Sequence, residues 1–277
     1  MTYLSTVARG ATAAVLMLAA QPSFAADLIY GTGAVALGTT PYTQDFDTLA
    51  SSGATSAVLP TGWVVSETGT NANGTYSVNN GSSTTGDVYS YGATGSADRA
   101  LGTLRSGSLN PSFGAIFTNS TGNAITDLLI SFTGEQWRNG NASVDTLGFQ
   151  YSLTSTNIAD AATSASWISL SDLNFVSPSN GTVGVLDGNS AINRALLSTT
   201  LSGLTIDAGQ QFAFRWIDVD ADSADDGLAI DNFSLTASGA VAAVPETATW
   251  GMMIAGFGMI GFALRRRGQV KTTVSVA

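Results

Sequence analysis

Gln211-Phe212-Ala213-Phe214-Arg215-Trp216-Ile217 is the stretch on which the fold of this chain turns. Its bulky aromatics, Phe212, Phe214 and Trp216, recur at every second residue. A β-strand points successive side chains to opposite faces, so a period of two gathers these rings on one side of a half-buried strand. A helix would scatter them. Residues 146–153 repeat the pattern, with Leu147, Phe149, Tyr151 and Leu153 on one face.

Outward from these two stretches, short apolar runs recur at 63–67, 88–91, 114–119, 128–133, 167–170 and 228–236. Turn clusters such as Asn71-Ala72-Asn73-Gly74 and Asn79-Asn80-Gly81-Ser82 punctuate them. No segment carries a helical stripe of apolar residues, and 157–165 reads as a turn. Many short strands with turn signals between them predict an all-β fold. The span 26–237 suits one jelly-roll-like β-sandwich domain. No internal period points to a solenoid or a propeller.

Composition narrows the chemistry. The chain has 277 residues, 44% of them hydrophobic, with 12 Phe, 7 Tyr and 5 Trp, which is material for a packed core. It has no cysteine and no histidine. Disulfides, thiolate and imidazole metal sites, and Ser-His-Asp or Cys-His catalysis are thereby excluded. Residues 26–244 hold 19 acids against five arginines, a net charge of −14, and the only lysine is Lys271. A phosphate backbone is repelled by such a surface, so nucleic acid is not an expected partner. Calcium or a hydroxyl-rich polymer is a better match.

Both ends read as targeting segments. Residues 1–25 form a signal peptide: Arg9, the apolar core ATAAVLMLAA at 11–20, the breaker Pro22, and small residues that place cleavage between Ala25 and Ala26. At the other end, 238–247 is a linker carrying Val244-Pro245-Glu246-Thr247. The apolar run 248–264 is predicted to be a transmembrane helix, at the short limit of about 17 residues for a bilayer core. Arg265-Arg266-Arg267 opens a basic tail, 265–277, that stays cytoplasmic under the positive-inside rule. Gly256-Phe257-Gly258-Met259-Ile260-Gly261 spells a dinucleotide fingerprint, but no strand precedes it and no acid follows, so that reading fails.

Pro245, Glu246, Trp250, the glycines Gly251, Gly256, Gly258 and Gly261, and Arg265, Arg266 and Arg267 together resemble the PEP-CTERM protein-sorting domain, also called the ice-binding protein C-terminal domain. The third motif residue is Thr247 where the family has Pro, and Gly251 follows the Trp where Ala is usual. The resemblance implies an exosortase-type membrane enzyme as partner, transient anchoring in the membrane, and cleavage near the motif. Release to the envelope, outer surface or exopolysaccharide matrix then follows.

Two clusters inside the passenger are candidate sites. Asp218, Asp220, Asp222, Asp225 and Asp226 crowd into one short segment, with Asp231 beyond. Calcium takes six to eight oxygen ligands and suits such a loop. An EF-hand register fails, because Ser223 and Ala229 stand where Gly and Glu are required. Residues 225–233 resemble instead the last-strand motif of lectin-like and MAM-like jelly rolls, whose early partner strand would carry Asp45-Phe46-Asp47. The resemblance implies a structural calcium on Asp47, Asp231 and Asp225 or Asp226; a solvated acidic turn is the alternative.

The second cluster is Gly134-Glu135-Gln136-Trp137-Arg138. An exposed Trp137 flanked by Glu135 and Arg138 would make a glycan-stacking platform. The alternative is a packed Trp137 beside a Glu135–Arg138 ion pair. A glycosidase needs two carboxylates roughly 5–9.5 Å apart, and the only glutamates before the sorting motif are Glu67 and Glu135. The expectation is an exported, non-enzymatic surface or matrix β-sandwich that binds exopolysaccharide. The alternatives are a carboxylate-dependent polysaccharide hydrolase or lyase, and a purely structural, adhesive matrix protein.

Overall fold

The computed structural model describes residues 27–141, 143–161, 163–239 and 247–267. The signal peptide 1–25 with its cleavage site at Ala25 and Ala26, the motif residues Pro245 and Glu246, and the tail residues 268–277 lie outside the described residues.

Two sheets make the body. The first runs Asp27–Tyr30, Trp63–Thr68, Asn110–Asn119, Gln211–Asp218, Thr146–Ser152 and Ile168–Ser169, with Val35–Leu37 added in parallel to Asn110–Asn119 and Phe175–Val176 beside Thr146–Ser152. The second runs Gly184–Val185, Ile125–Asn139, Gly227–Ser238, Ala100–Leu104, Asp87–Tyr91, Tyr76–Asn79 and Thr55–Ser56, with Arg194–Ile206 pairing Ile125–Asn139 and Tyr42–Gln44 pairing Gly227–Ser238. Asn110–Asn119, Ile125–Asn139 and Thr146–Ser152 alternate between the sheets, as do Arg194–Ile206, Gln211–Asp218 and Gly227–Ser238. Each connection therefore crosses the sandwich, and long-range pairing holds it shut.

The alternation in 211–217 does what period two requires. Phe212, Phe214 and Trp216 are fully buried between the sheets. Trp216 stacks on Phe113 at 5.4 Å and on Trp63 at 5.9 Å, and meets the edges of Phe132, Phe149 and Phe233. Rings at these distances add edge and stacking attraction to simple area burial.

The opposite face of that strand is not open to water as a half-buried strand predicts. Ala213 and Arg215 are also buried, because the segment after Thr146–Ser152 folds back across it. Arg215 Nη1 donates to the carbonyls of Ile158 (2.9 Å) and Asp160 (2.6 Å), Nη2 to Ala161 O (3.1 Å), and Nε to Gln150 Oε1 (2.9 Å). Trp167 caps the guanidinium at 4.0 Å. Carbonyls and a ring face thus hold a buried cation without a carboxylate.

Arg194–Ile206, thirteen residues, is a strand that periodicity does not reveal. Leu197, Leu201, Leu204 and Ile206 turn to the core, but Thr199 and Gly203 interrupt the apolar alternation, and the strand forms by pairing along Ile125–Asn139.

The apolar run 248–264 is helical as expected, within Thr247–Arg267. A membrane crossing is not shown: among the described residues no helix is long and apolar enough to cross a membrane. Gly251, Gly256, Gly258 and Gly261 thin its apolar surface, while Met252, Ile254, Phe257, Met259 and Phe262 lie exposed along it.

Candidate metal centre

The inward positions of two strands continue past their aromatics into acids. On Gln211–Asp218 the core face reads Phe212, Phe214, Trp216 and then Asp218; before Thr146–Ser152 it reads Asp145, then Leu147 and Phe149. The two strands pair with Leu147 opposite Asp218, so both acids come to the same end of the sandwich. Asp225, just ahead of Gly227–Ser238, arrives there from the second sheet.

Asp145, Asp218 and Asp225 each offer a carboxylate oxygen within 4.8 Å of the other two, and all three residues are buried. Asp145 accepts the backbone N–H groups of Thr146 (2.6 Å) and Asp226 (2.8 Å), and Asp225 accepts that of Ala221 (3.0 Å). Neither carboxylate oxygen of Asp218 makes a well-formed hydrogen bond; the Thr103 hydroxyl beside it and the charge of Arg105 offset its burial only in part. Arg105 lies at the rim, 3.1 Å from the exposed Asp220.

The electrostatics follow from that burial. Loss of solvent, then the charge of Asp145, pushes the Asp218 carboxyl well above its ordinary range. Asp145 rises to about 6, first through burial. Asp225 rises for the same first reason, with the exposed Asp220 adding to it. Three carboxyls packed this closely cannot all ionise unless a cation joins them.

The donor set fits a hard divalent ion. Calcium–oxygen distances are about 2.3–2.6 Å, so two ligand oxygens on one ion can stand no more than roughly 5 Å apart. The three carboxylates meet that limit and present six oxygens between them, with no nitrogen or sulfur donor.

Asp226 and Asp231 play other parts. Asp226 accepts Gly140 N (2.6 Å) and Gln136 Nε2 (2.8 Å), which ties its loop to Ile125–Asn139. Asp231 lies five residues further along an extended strand, about 16 Å away at the usual strand rise. Burial first, then the charges of Asp98, Asp47 and Asp45, raises it to about 7. The early–late strand pairing implied by the jelly-roll resemblance is present, Gln44 opposite Phe233. The ligand set implied with it divides between two places: Asp47 and Asp231 share one neighbourhood, and Asp225 belongs to the other. Asp145 was not legible as a ligand, although an acid at the next inward position of an aromatic strand is a signal a sequence does carry.

The Glu135–Arg138 segment is corrected more sharply. Trp137 is 2% exposed and stacks parallel on Tyr91 at 6.1 Å. Its indole N–H donates to Glu135 Oε2 at 2.9 Å. A Cβ on Gly188 would fall 2.4 Å from that ring, so the loop bearing Gly188 lies directly on it. No stacking platform is available to a sugar. The alternative ion pair does not form either: the strand bulges between Gln136 and Arg138, and Arg138 Nη1 donates to Gly81 O.

Comparison with known proteins places the C-terminal segment. Residues 243–267 match the PEP-CTERM protein-sorting motif. That motif is a sorting signal for a membrane exosortase and marks the chain for export and a cell-surface or extracellular fate. Within it Thr247 opens the helix, Trp250 falls in its first turns, and Arg265, Arg266 and Arg267 close it. No curated protein matches the chain. Among solved structures, it is similar to the K1 cleaved adhesin domain of Lys-gingipain from Porphyromonas gingivalis W83, at 12% identity and a TM-score of 0.37, over 72% of this chain and 99% of that one. It is similar also to the CBM22-1 xylan-binding domain from Paenibacillus barcinonensis, at 14% identity and 0.33, over 75% and 100%. Against the tailspike protein 4 active domain of bacteriophage CBA120 the values are 11% and 0.32, over 64% of this chain, which spans 19% of that one. Likenesses this distant assign no ligand.

Proposed function

We propose that this chain is an exported, non-enzymatic surface protein. Its jelly-roll-like sandwich is stiffened by calcium on Asp145, Asp218 and Asp225. It is held at the membrane through its C-terminal helix, processed near residues 245–247, and left in the envelope or its exopolysaccharide. The observation that carries this reading is the sorting motif at 243–267. The exposed apolar residues Met252, Ile254, Phe257 and Met259 support the membrane stage, since a helix surface of this kind needs lipid or a protein partner.

Burial of the two passenger glutamates supports the non-enzymatic reading. Glu67 and Glu135 are each 1% exposed, so neither offers a carboxylate to a bound sugar. Glu67 takes the backbone N–H groups of Asn73 and Val88, and Glu135 takes the Trp137 indole.

The C-terminal peptide mass of protein recovered from envelope and medium tests the proposal. A terminus near 245–247 is expected, with 250–277 missing. An intact tail ending at Ala277 in every fraction would refute processing.

A further inference from the structure

A second feature lies away from the acidic centre, beside Arg99. This arginine is 1% exposed and has no carboxylate within ion-pair distance; among the described residues the only salt bridge joins Arg105 and Asp220. Its Nε donates to Ser90 Oγ at 2.9 Å, and Nη2 donates to the carbonyls of Ser90 and, at 3.5 Å, Asn79. Nη1 has no partner at all. Burial works against its charge and Asp98 offsets that only in part, so a guanidinium with one idle nitrogen is left incompletely paired.

Arg99 forms part of the wall of a cleft of about 410 Å³. Around it stand Ser51, Ser52, Asn80, Ser82 and Thr94, hydroxyls and an amide with no acid among them. Gly92 also lines the cleft, and a Cβ there would fall 2.3 Å from Arg99 Nη1. Glycine therefore lets the guanidinium pack directly on the backbone that forms this wall of the cleft. The passenger is acidic overall, yet the lining of this cleft sets one cation among neutral hydrogen-bonding groups.

We propose that the cleft beside Arg99 binds an anionic sugar. The guanidinium takes its carboxylate or sulfate group, and the surrounding hydroxyls and amides take its hydroxyls. A planar guanidinium matches either oxyanion, which is why arginine serves such groups where lysine serves less well. Hydroxyls in a ring suit a polyhydroxylated ligand and give bare inorganic anions nothing extra to hold.

Isothermal titration of the full passenger in calcium-saturated buffer tests this, using digalacturonate, its methyl ester, a sulfated disaccharide and sodium sulfate. Digalacturonate or the sulfated disaccharide is expected to bind, which tells the two anion types apart. The uncharged ester should bind at least about tenfold more weakly. Ser82→Trp fills the cleft from its exposed rim and should abolish binding with the melting temperature unchanged. Arg99→Lys should lower affinity, and if it fails to fold, Ser82→Trp still decides. Equal affinity for acid and ester, binding untouched by Ser82→Trp, or no binding by either anionic sugar would overturn the proposal. Sodium sulfate binding as tightly as the sugars would overturn the sugar and leave only an anion.

Discussion

Arg215 and Asp218 lie three residues apart on one strand, both buried and both charged in their ordinary state, and they are treated in opposite ways. Around Arg215 three loop carbonyls, the Gln150 amide oxygen and the Trp167 ring satisfy the cation. Around Asp218 the neighbours are two more carboxyls, which the Thr103 hydroxyl and the charge of Arg105 offset only in part. The first arrangement is complete as it stands and acts as a staple. The second is complete only with protons or a cation, which is what distinguishes a site from a support.

Breaking the staple should cost most. Arg215→Ala leaves the Ile158 carbonyl and Gln150 buried without their cation and frees the carbonyls of 160 and 161, and roughly 3 kcal/mol of unfolding free energy should disappear. Urea denaturation measures it; a loss under about 1 kcal/mol would mean the covering segment holds itself in place. At the other end of the strand, calcium at a hundredfold excess over its dissociation constant should add about 2.7 kcal/mol, read as a rise in melting temperature that EDTA reverses. Asp218→Asn should remove that rise. A melt indifferent to EDTA would leave the three aspartates as a protonated cluster.

The pH dependence sharpens the same contrast. Without calcium, Asp145 is raised to about 6, Asp231 and Glu67 to about 7, and Glu135 to about 8, each first by burial. A carboxyl raised in the folded state binds its proton more tightly there than in the unfolded chain. Its stabilisation is full below pH 4 to 5 and is lost as pH climbs through 6 to 8. The metal-free protein should therefore lose several kcal/mol of stability between pH 5 and pH 8.5, and calcium should flatten the part due to the acidic centre. Rising stability over that window would contradict the burial of these groups. The smallest effect expected is from Trp137→Phe, which keeps the stack on Tyr91 and loses the indole bond to Glu135, at about 1 kcal/mol. A markedly larger loss would give Glu135 a greater structural part than one hydrogen bond supplies.

What the linear sequence determined is what depends on neighbours in the chain. Period two along 211–217 and 146–153 fixed which rings face inward, and turn clusters fixed where strands stop. The sorting motif is a local order of residues, read without any fold. Other facts needed the sheets to assemble. Arg215 and Trp137 look outward by alternation, yet both are buried, because segments distant in sequence lie over them and no local pattern encodes that cover. The acids at 225 and 231 look like one cluster, yet an extended strand rises about 3.3 Å per residue and carries them to separate neighbourhoods. Asp145 joins Asp218 and Asp225 only because three strand ends from two sheets converge, a long-range consequence of pairing register, and that convergence makes a site of residues that are unremarkable one at a time.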